Sequence, residues 1–588
     1  MRDLVETQYL DLQLPEEGLE LSSGKRLSAV RIAYETHGVL AESADNVVFI
    51  CHALTGDSHC AGYHSDDPKS RGWWEPHPDS DQPRLIGVGA AIDTKRFYVV
   101  CANILGGCAG TTGPKSNNPE TGEPYGIEFP LVTIKDVVRV QRLLLDQLGV
   151  KRLHAVVGGS MGGMQALEWA ISFPEYVARC ACIATAASLS PQALAFDIIG
   201  RQEIENDPNW NGGHYYGQAI PRAGLSRARQ IGHVTYLSDQ SMYAKFGRDE
   251  HDRPRPEDSS KFSTSFEVES YLNYNGNSFV DRFDANSYLY ISRMMDMFDL
   301  AKEHGSLREA LAKTASKFLI ISIESDWLFP PPQQLELLHE LLALRREVSY
   351  LNMNSHFGHD AFLIEYDLLC PALGAFLTGE EPRKPAPVNR QDLNVIKSMV
   401  PRGERILDLG AGEGNMMLAV QRATGSTGIC LDLSYGKVVS CMEKGLSAIQ
   451  LDADSGLELI SDDAFDCVMT NQTIQQLHSA LGAMKQMLRI GQRAIVSFPN
   501  FAYYRYRLAL LYSGKLPVSD DLPFEWYDTP NIHLVTLTDF VELCEKNEIR
   551  IDALECAADH WLGRALLQCG MRSAGAERGI ACIGKANG

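Results

Sequence analysis

The stretch Val156-Val157-Gly158-Gly159-Ser160-Met161-Gly162-Gly163-Met164 closes an apolar run from Leu153 and opens the helical pattern QALEWAISFP. Glycines crowd one serine. A G-x-S-x-G spacing between strand and helix is the nucleophile-elbow arrangement. So sharp a turn strains the backbone at the serine, and Gly158 and Gly162 let the chain pass without side-chain clashes. The helix start then directs backbone N–H groups at the serine, where they can stabilise an oxyanion. Taken alone, the pattern fits a phosphate loop or an inert bend equally well.

The surroundings decide the fold class. NVVFICHAL, FYVVCAN, LHAVVGG, KFLIISIES and VSYLNM read as buried strands, each followed by a loop. This rhythm predicts an α/β unit with a parallel sheet and helices on both faces. Between Ser188 and Leu311 the strand rhythm stops and helical, polar segments take over, as expected of a lid. Near Leu377 the texture changes to LTGEEPRKPAPVNRQ, so residues 378–391 read as a linker. Beyond it, ERILDLGAGEGN, TGICLDLS, LSAIQLDAD, FDCVMTN and GQRAIVSFP start a new β/α rhythm. The expected domains are residues 1–377 and 392–588.

Composition narrows the function. A chain of 588 residues exceeds one ordinary core. A net charge of −21 without a Lys/Arg run excludes a nucleic-acid or anionic-membrane surface. No apolar run is long enough to span a bilayer, and MRDLVETQYLDLQLPEEG lacks the apolar region of a secretory signal. The 14 cysteines are scattered without C-x-x-C pairs or His/Cys clusters, which implies reduced thiols in a cytoplasm and no metal site.

A serine nucleophile needs a base, and the base needs an orienting carboxylate. On this fold the expected order is Ser, Asp or Glu, His. ESDWLFPP follows the strand KFLIISI, and NSHFGHDAFL follows VSYLNM. Asp326 is therefore the candidate carboxylate, with Glu324 a weaker rival closer to the strand. For the base, His356 and His359 compete, and spacing does not separate them. The oxyanion donors expected are the N–H groups of Met161 and of Leu54 in FICHALTGDSH; His52 shapes that loop.

HALTGDSHCAGYH, NILGGCAGTTGPKSNNPETGEPYG, GGSMGGMQALEWA, ARQIGHVTYLS, ESDWLFPP and GHDAFL resemble the homoserine O-acyltransferase family of the MetX type, from near the N-terminus to about Leu377. The resemblance implies an α/β-hydrolase fold with a helical lid and a triad of Ser160, His359 and Asp326, which selects His359 over His356. It implies ping-pong acyl transfer from acyl-CoA to L-homoserine, no cofactor for that step, and a homodimer through the lid. It also implies that Arg229 and Asp360 hold the carboxylate and ammonium of homoserine, arginine being suited to a carboxylate by its planar fork. Succinyl-using relatives tend to carry an arginine shortly after the triad aspartate. Here that position is Leu328, and a succinyl carboxylate would be uncompensated there, so acetyl-CoA is the expected donor. Succinyl transfer and serine hydrolysis are the rival readings.

In the second domain, ILDLGAGEGN is a strand followed by a glycine turn, with Asp408, Gly410 and Gly412 as key positions. Asp432 ends the next strand, suited to ribose hydroxyls, and Asp452 ends the one after, suited to an adenine amino group. The set points to S-adenosylmethionine (SAM); a Rossmann-like domain that has lost its ligand is the alternative. FDCVMTNQTIQQL, MLRIGQRAIVSFPNFAYYRYRL, LPVSDDLPFEWYDTPNIHLVT and DFVELCEKNEIRI resemble the MetW methionine-biosynthesis family from about Gln391 to Ala553. Ala411 departs from the cysteine that relatives often carry. The resemblance implies a Rossmann-like, class I SAM-methyltransferase fold that supports or regulates the transferase; no methyl acceptor follows from it.

Overall fold

Apart from His154, Val47–Cys51 and Leu153–Gly159 consist of apolar and small residues, nearly all buried, so each belongs at the centre of a sheet covered on both faces. In the computed structural model, which describes residues 3–250, 266–380, 388–519 and 522–586, they lie side by side in parallel, with Phe49 opposite Val156 and Cys51 opposite Gly158. The chain forms two compact units: Met1–Arg346 with Tyr350–Leu377, and Glu347–Ser349 with Thr378–Gly588. Part of the sequence-predicted linker (381–387) and part of the lid (251–265) lie outside the described residues.

Among the described residues, the main sheet of the first unit has eight strands: β1 (Gln8–Asp11), β2 (Arg31–His37), β3 (Val47–Cys51), β4 (Tyr98–Ala102), β5 (Leu153–Gly159), β6 (Arg179–Ile183), β7 (Lys317–Ile323) and β8 (Val348–Met353). Their spatial order is β1-β2-β4-β3-β5-β6-β7-β8. The sheet is parallel from β4 through β7, but β2 runs antiparallel to both β1 and β4, which corrects the expectation of a wholly parallel sheet. The chain reverses between β1 and β2 through a short ladder, Leu19–Glu20 with Arg26–Leu27, and not through a crossover helix. Strand β6, with the sequence RCACI, was not among the sequence-predicted strands.

Helices α1 (Ile134–Gln147) and α2 (Met161–Ser172) flank β5 in sequence. Thr133 and Asp136 close a capping box at the start of α1. The lid holds α3 (Pro191–Glu205), α4 (Arg222–Tyr236), α5 (Asp239–Phe246), α6 (Glu267–Val280) and α7 (Ala285–Met297). Ser190 caps α3, with Pro191 at its first turn. Asp284 caps α7 and also accepts from the hydroxyls of Tyr215 (2.6 Å) and Tyr216 (3.0 Å). The lid has its own core, formed by Ile204, Tyr215, Leu225, Ala228, Phe279, Val280 and Tyr288, against which Leu54 packs.

The second unit carries β9 (Arg405–Leu409), β10 (Thr427–Asp432), β11 (Ser447–Gln450), β12 (Phe465–Asn471), β13 (Gly491–Pro499), β14 (Arg550–Ala557) and β15 (Arg578–Gly584). The order is β11-β10-β9-β12-β13-β15-β14. Strands β9 to β13 are parallel, and β15 is antiparallel to both β13 and β14. The strand order reverses direction at β9, so a crevice is expected at its carboxyl end. Among the described residues no helix is long and apolar enough to cross a membrane.

Candidate active site

Ser160 occupies the turn between β5 and α2 at φ 57° and ψ −126°, a conformation L-residues rarely adopt. The turn is held at both ends. The Ser160 N–H donates to the Ile183 carbonyl (2.9 Å), and the Thr185 hydroxyl donates to the Ser160 carbonyl (2.7 Å). The glycines are a packing necessity. A Cβ on Gly158 would lie 2.1 Å from the Gly162 oxygen, and one on Gly162 would lie 2.1 Å from the Cys51 oxygen. Met161 is the first residue of α2, so its N–H is among those a helix cannot satisfy internally.

Asp326 lies three residues beyond the end of β7, and His359 lies in a short 3-10 helix, Gly358–Leu363, after β8. His359 Nδ1 and Asp326 Oδ2 are 2.7 Å apart, both residues being buried. The other oxygen of Asp326 accepts from the backbone N–H groups of Leu328 and Phe329, each at 2.9 Å. The carboxylate is therefore fixed by three donors. Burial opposes a charge on His359, but the carboxylates of Asp326 and Asp360 outweigh it and hold the imidazole pKa above its ordinary value. His356 is exposed and its ring packs on Phe357, whereas Glu324 is exposed and hydrogen-bonded to Asn352. Neither meets the other's partner.

Ser160 opens into a cavity of about 40 Å³ lined by Leu54, Phe196, Asp197, Tyr236, Leu328 and Phe329, among others. The His359 ring stacks on Phe329 at 5.1 Å between centroids and lies 6.2 Å from Tyr236, two residues that line this cavity. Phe362, on the short helix of His359, touches the elbow so closely that a Cβ on Gly159 would lie 2.5 Å from its ring. The lid is tied to these loops: Trp327 donates to the Leu237 carbonyl (2.9 Å), and a Cβ on Gly358 would lie 2.7 Å from the Tyr236 carbonyl oxygen.

Arg229 projects from α4, donates to the Thr55 hydroxyl (3.2 Å) and lies over the rings of Phe279 (4.9 Å) and Tyr236 (5.5 Å). Burial raises the pKa of Asp360, opposed by the charges of His359 and Arg229. His52 shapes the Leu54 loop: its Nδ1 meets the Ala53 carbonyl (2.8 Å), and its Nε2 accepts from the Ile104 N–H (3.2 Å). Burial lowers its pKa and keeps it neutral.

The fold also assembles a group the sequence did not reveal. Glu35 accepts from His59 and His64, each at 2.8 Å, and the ligand-type atoms of the three lie within 4.8 Å of one another. This corrects the reading of histidines as unclustered. Both Glu35 oxygens are occupied by imidazole hydrogen bonds, and the second ring nitrogen of His59 meets the Ser70 carbonyl at 2.9 Å.

In the second unit, Asp408, Gly410, Ala411, Asn415, Met416 and Asn471 are among the residues lining a cavity of about 410 Å³ at the end of β9. Gly410 has φ 69° and Gly412 φ 57°. Asp408 Oδ1, Asn415 Oδ1 and Asn471 Oδ1 are buried without partners. Burial, with Asp432 adding to it, pushes Asp408 up to about 8. Asp432 binds the glycine turn itself, accepting from the N–H groups of Gly412 and Ser434, each at 2.9 Å. Strand β11 stops at Gln450, so Asp452 does not end it but sits in the following turn, where it accepts from Asp454 N–H and the Ser455 hydroxyl. Asn415 and Asn471 were not singled out in the sequence, because a lone asparagine beside a strand end carries no pattern.

The eight-stranded order, the strained serine turn and the helical insertion define an α/β-hydrolase-fold protein carrying a buried His–Asp pair. Residues 46–366 match the alpha/beta hydrolase fold family, and residues 390–571 match the family described as methionine biosynthesis protein MetW. The bifunctional methionine biosynthesis protein MetXA/MetW of Rhodopirellula baltica is 40% identical over 555 residues, covering 91% of this chain and 87% of that protein. The chain belongs to the family of bifunctional MetXA/MetW methionine biosynthesis proteins. The homoserine O-acetyltransferase of Methanohalobium evestigatum is 50% identical over 374 residues, 64% of this chain and 73% of that one. Among solved structures, the homoserine O-acetyltransferase of Bacillus anthracis matches with a TM-score of 0.58 at 29% identity, over 64% of this chain and 98% of that one. Esterase E22 matches with a TM-score of 0.57 at 30% identity, over 64% of this chain and all of that one (100%).

Proposed function

We propose that the first unit transfers an acetyl group from acetyl-CoA to the hydroxyl of L-homoserine by double displacement. The observation that carries this reading is the His359–Asp326 pair at 2.7 Å, whose imidazole stacks on Phe329 in the lining of the cavity into which the strained Ser160 opens. His359 takes the Ser160 proton as Oγ attacks the thioester carbonyl. The N–H groups of Leu54 and Met161 hold the tetrahedral oxyanion. Its collapse releases CoA, which leaves with the proton from His359. His359 then deprotonates the homoserine hydroxyl, which attacks the acetyl-serine, and the proton returns to Ser160 as O-acetyl-L-homoserine departs. Arg229 binds the amino acid carboxylate and Asp360 its ammonium group. Apolar Leu328 favours acetyl over succinyl, since a buried carboxylate without a cation is costly. The similarity to named homoserine O-acetyltransferases supports the acceptor.

The esterase likeness favours one rival, hydrolysis on the same triad. Steady-state kinetics with acetyl-CoA and succinyl-CoA, with and without homoserine, tests both. CoA release is expected to require homoserine, to prefer acetyl-CoA, and to fall by roughly 10⁴-fold or more in Ser160→Ala. Release without homoserine makes the protein a hydrolase.

The second unit is read as a class I SAM-methyltransferase-like fold in a supporting or SAM-sensing role. Three buried acceptor oxygens without donors suit a ligand bringing N–H groups and positive charge, and SAM carries an ammonium and a sulfonium. Asp408 and Gly410, which line that cavity, would hold it together with Gly412 on the same turn; when bound, its sulfonium would supply an activated methyl group. The lid exposes Ile198, Ile199, Val234, Tyr243 and Tyr274, a set that suits a homodimer contact.

A further inference from the structure

The cavity shared by Ser160 and Leu328 has one carboxyl group in its lining, Asp197 on α3, for which neither the triad nor homoserine binding has a use. Asp197 Oδ2 and Asp296 Oδ1, the latter on α7, are both buried without a hydrogen-bond partner, and the charge of Asp296 bears on Asp197. Burial and a neighbouring like charge both disfavour ionisation of a carboxyl group. Arg201 Nη2 lies 2.5 Å from Asp296 Oδ2, and Arg293 Nη1 lies 3.3 Å from the same atom. Both guanidinium groups are thus committed to Asp296. With about 40 Å³ available, an acyl group on Ser160 that fills the cavity must approach Asp197.

We propose that Asp197 is a specificity-determining residue that rejects acyl groups bearing a terminal carboxylate and so restricts the donor to short neutral acyl-CoA. This inference rests on the acyl-transfer reading above and deepens it. Leu328 merely withholds a cation from a succinyl group, whereas the carboxyl pair actively disfavours it, and specificity often needs such a repulsive element. The other polar groups around Asp197 do not cancel this. From α4 come Tyr236 and Arg229, and from α7 Tyr288, Asp296 and Arg293; Arg201 is on α3 itself. Arg229 is given to the homoserine carboxylate, and Arg201 and Arg293 to Asp296. Burial and the adjacent Asp296 push Asp197 up to about 7, against the pull of Arg201. Its charge therefore develops as pH rises through neutrality, while a succinyl carboxylate stays ionised throughout.

The test is the ratio of kcat/KM for succinyl-CoA to that for acetyl-CoA with homoserine, measured on the full chain from pH 6 to 8.5. Titration of His359 affects both donors and cancels in the ratio. In the wild type the ratio is expected to fall as pH rises through about 7. In Asp197→Asn it should be independent of pH and raised at pH 8 by about 10-fold, the equivalent of one pKa unit of interaction. Asp296→Asn provides a second variant: without the like charge, Asp197 ionises at lower pH, and the fall in the ratio should move down with it. A wild-type ratio flat with pH, or a ratio unchanged by Asp197→Asn, overturns the proposal while leaving acyl transfer standing. Absence of homoserine-dependent turnover with acetyl-CoA overturns both.

Discussion

At the scale of single residues, the site depends on a few charge-bearing contacts whose removal has distinct kinetic signatures. His359 must be neutral to act as a base, and the Asp326 carboxylate raises its pKa. The rate should therefore fall as pH drops through that raised value. Asp326→Asn removes the charge and is expected to shift the acid limb to lower pH and lower kcat by about 10³- to 10⁴-fold. A pH–rate profile of both proteins checks it. Arg229→Lys keeps the charge but loses the planar fork. Its kcat/KM for homoserine should fall by about 10- to 100-fold, since hydrogen bonds to charged groups contribute about 1.5–3 kcal/mol. The burst of CoA release on first acylation should persist, which rapid-quench measurements would detect. The sequence identified Asp326 by its place after a strand, but Asp197 was not legible. Its helix, PQALAFDIIGRQEIE, reads as a surface pattern, and only the lid's folding turns that aspartate into the cavity beside Asp296.

At the scale of elements, the junction of β5, α2 and β3 has no room for a side chain at Gly158 or Gly162. Gly162→Ala would force a Cβ to 2.1 Å from the Cys51 carbonyl oxygen, so helix and strand must separate. Overpacking against backbone of this kind costs on the order of 3 kcal/mol. The expected outcome is a lowered thermal midpoint by circular dichroism together with lost activity, because the same shift moves the Leu54 loop. Most strands were legible because buried parallel strands read as unbroken apolar runs. Strand β6 escaped notice because RCACI is short, starts with a charge and is rich in cysteine. Strands β1 and β14 escaped because edge strands carry polar residues on one side, as the Arg550–Ala557 pattern does, whereas β2 and β15 are interrupted by charged residues or glycine.

At the scale of the whole molecule, the chain joins two compact units, and a ligand of the second should raise the transition in which that unit unfolds. SAM at 100 times its dissociation constant is expected to add about 2.7 kcal/mol to the stability of the state that binds it. Differential scanning calorimetry of the full chain should detect a SAM-dependent rise in one transition. Gly410→Val should abolish that rise, since a Cβ there meets the Thr473 side chain at 2.4 Å and the backbone sits at φ 69°. A transition that ignores SAM in the wild type counts against the SAM reading. By itself the sequence determined the two-unit division, the serine turn, the strand-end positions of Asp326 and His359, and the glycine turn of the second unit. These are local: each depends on backbone sterics or on burial of a continuous run. Only the tertiary structure decided that His359 and not His356 meets Asp326, that Asp432 and Asp452 spend their oxygens on their own turns, and that Asp197 faces the acyl cavity. Those outcomes depend on which loops the sheet order brings together, and spacing along the chain does not encode distances across it.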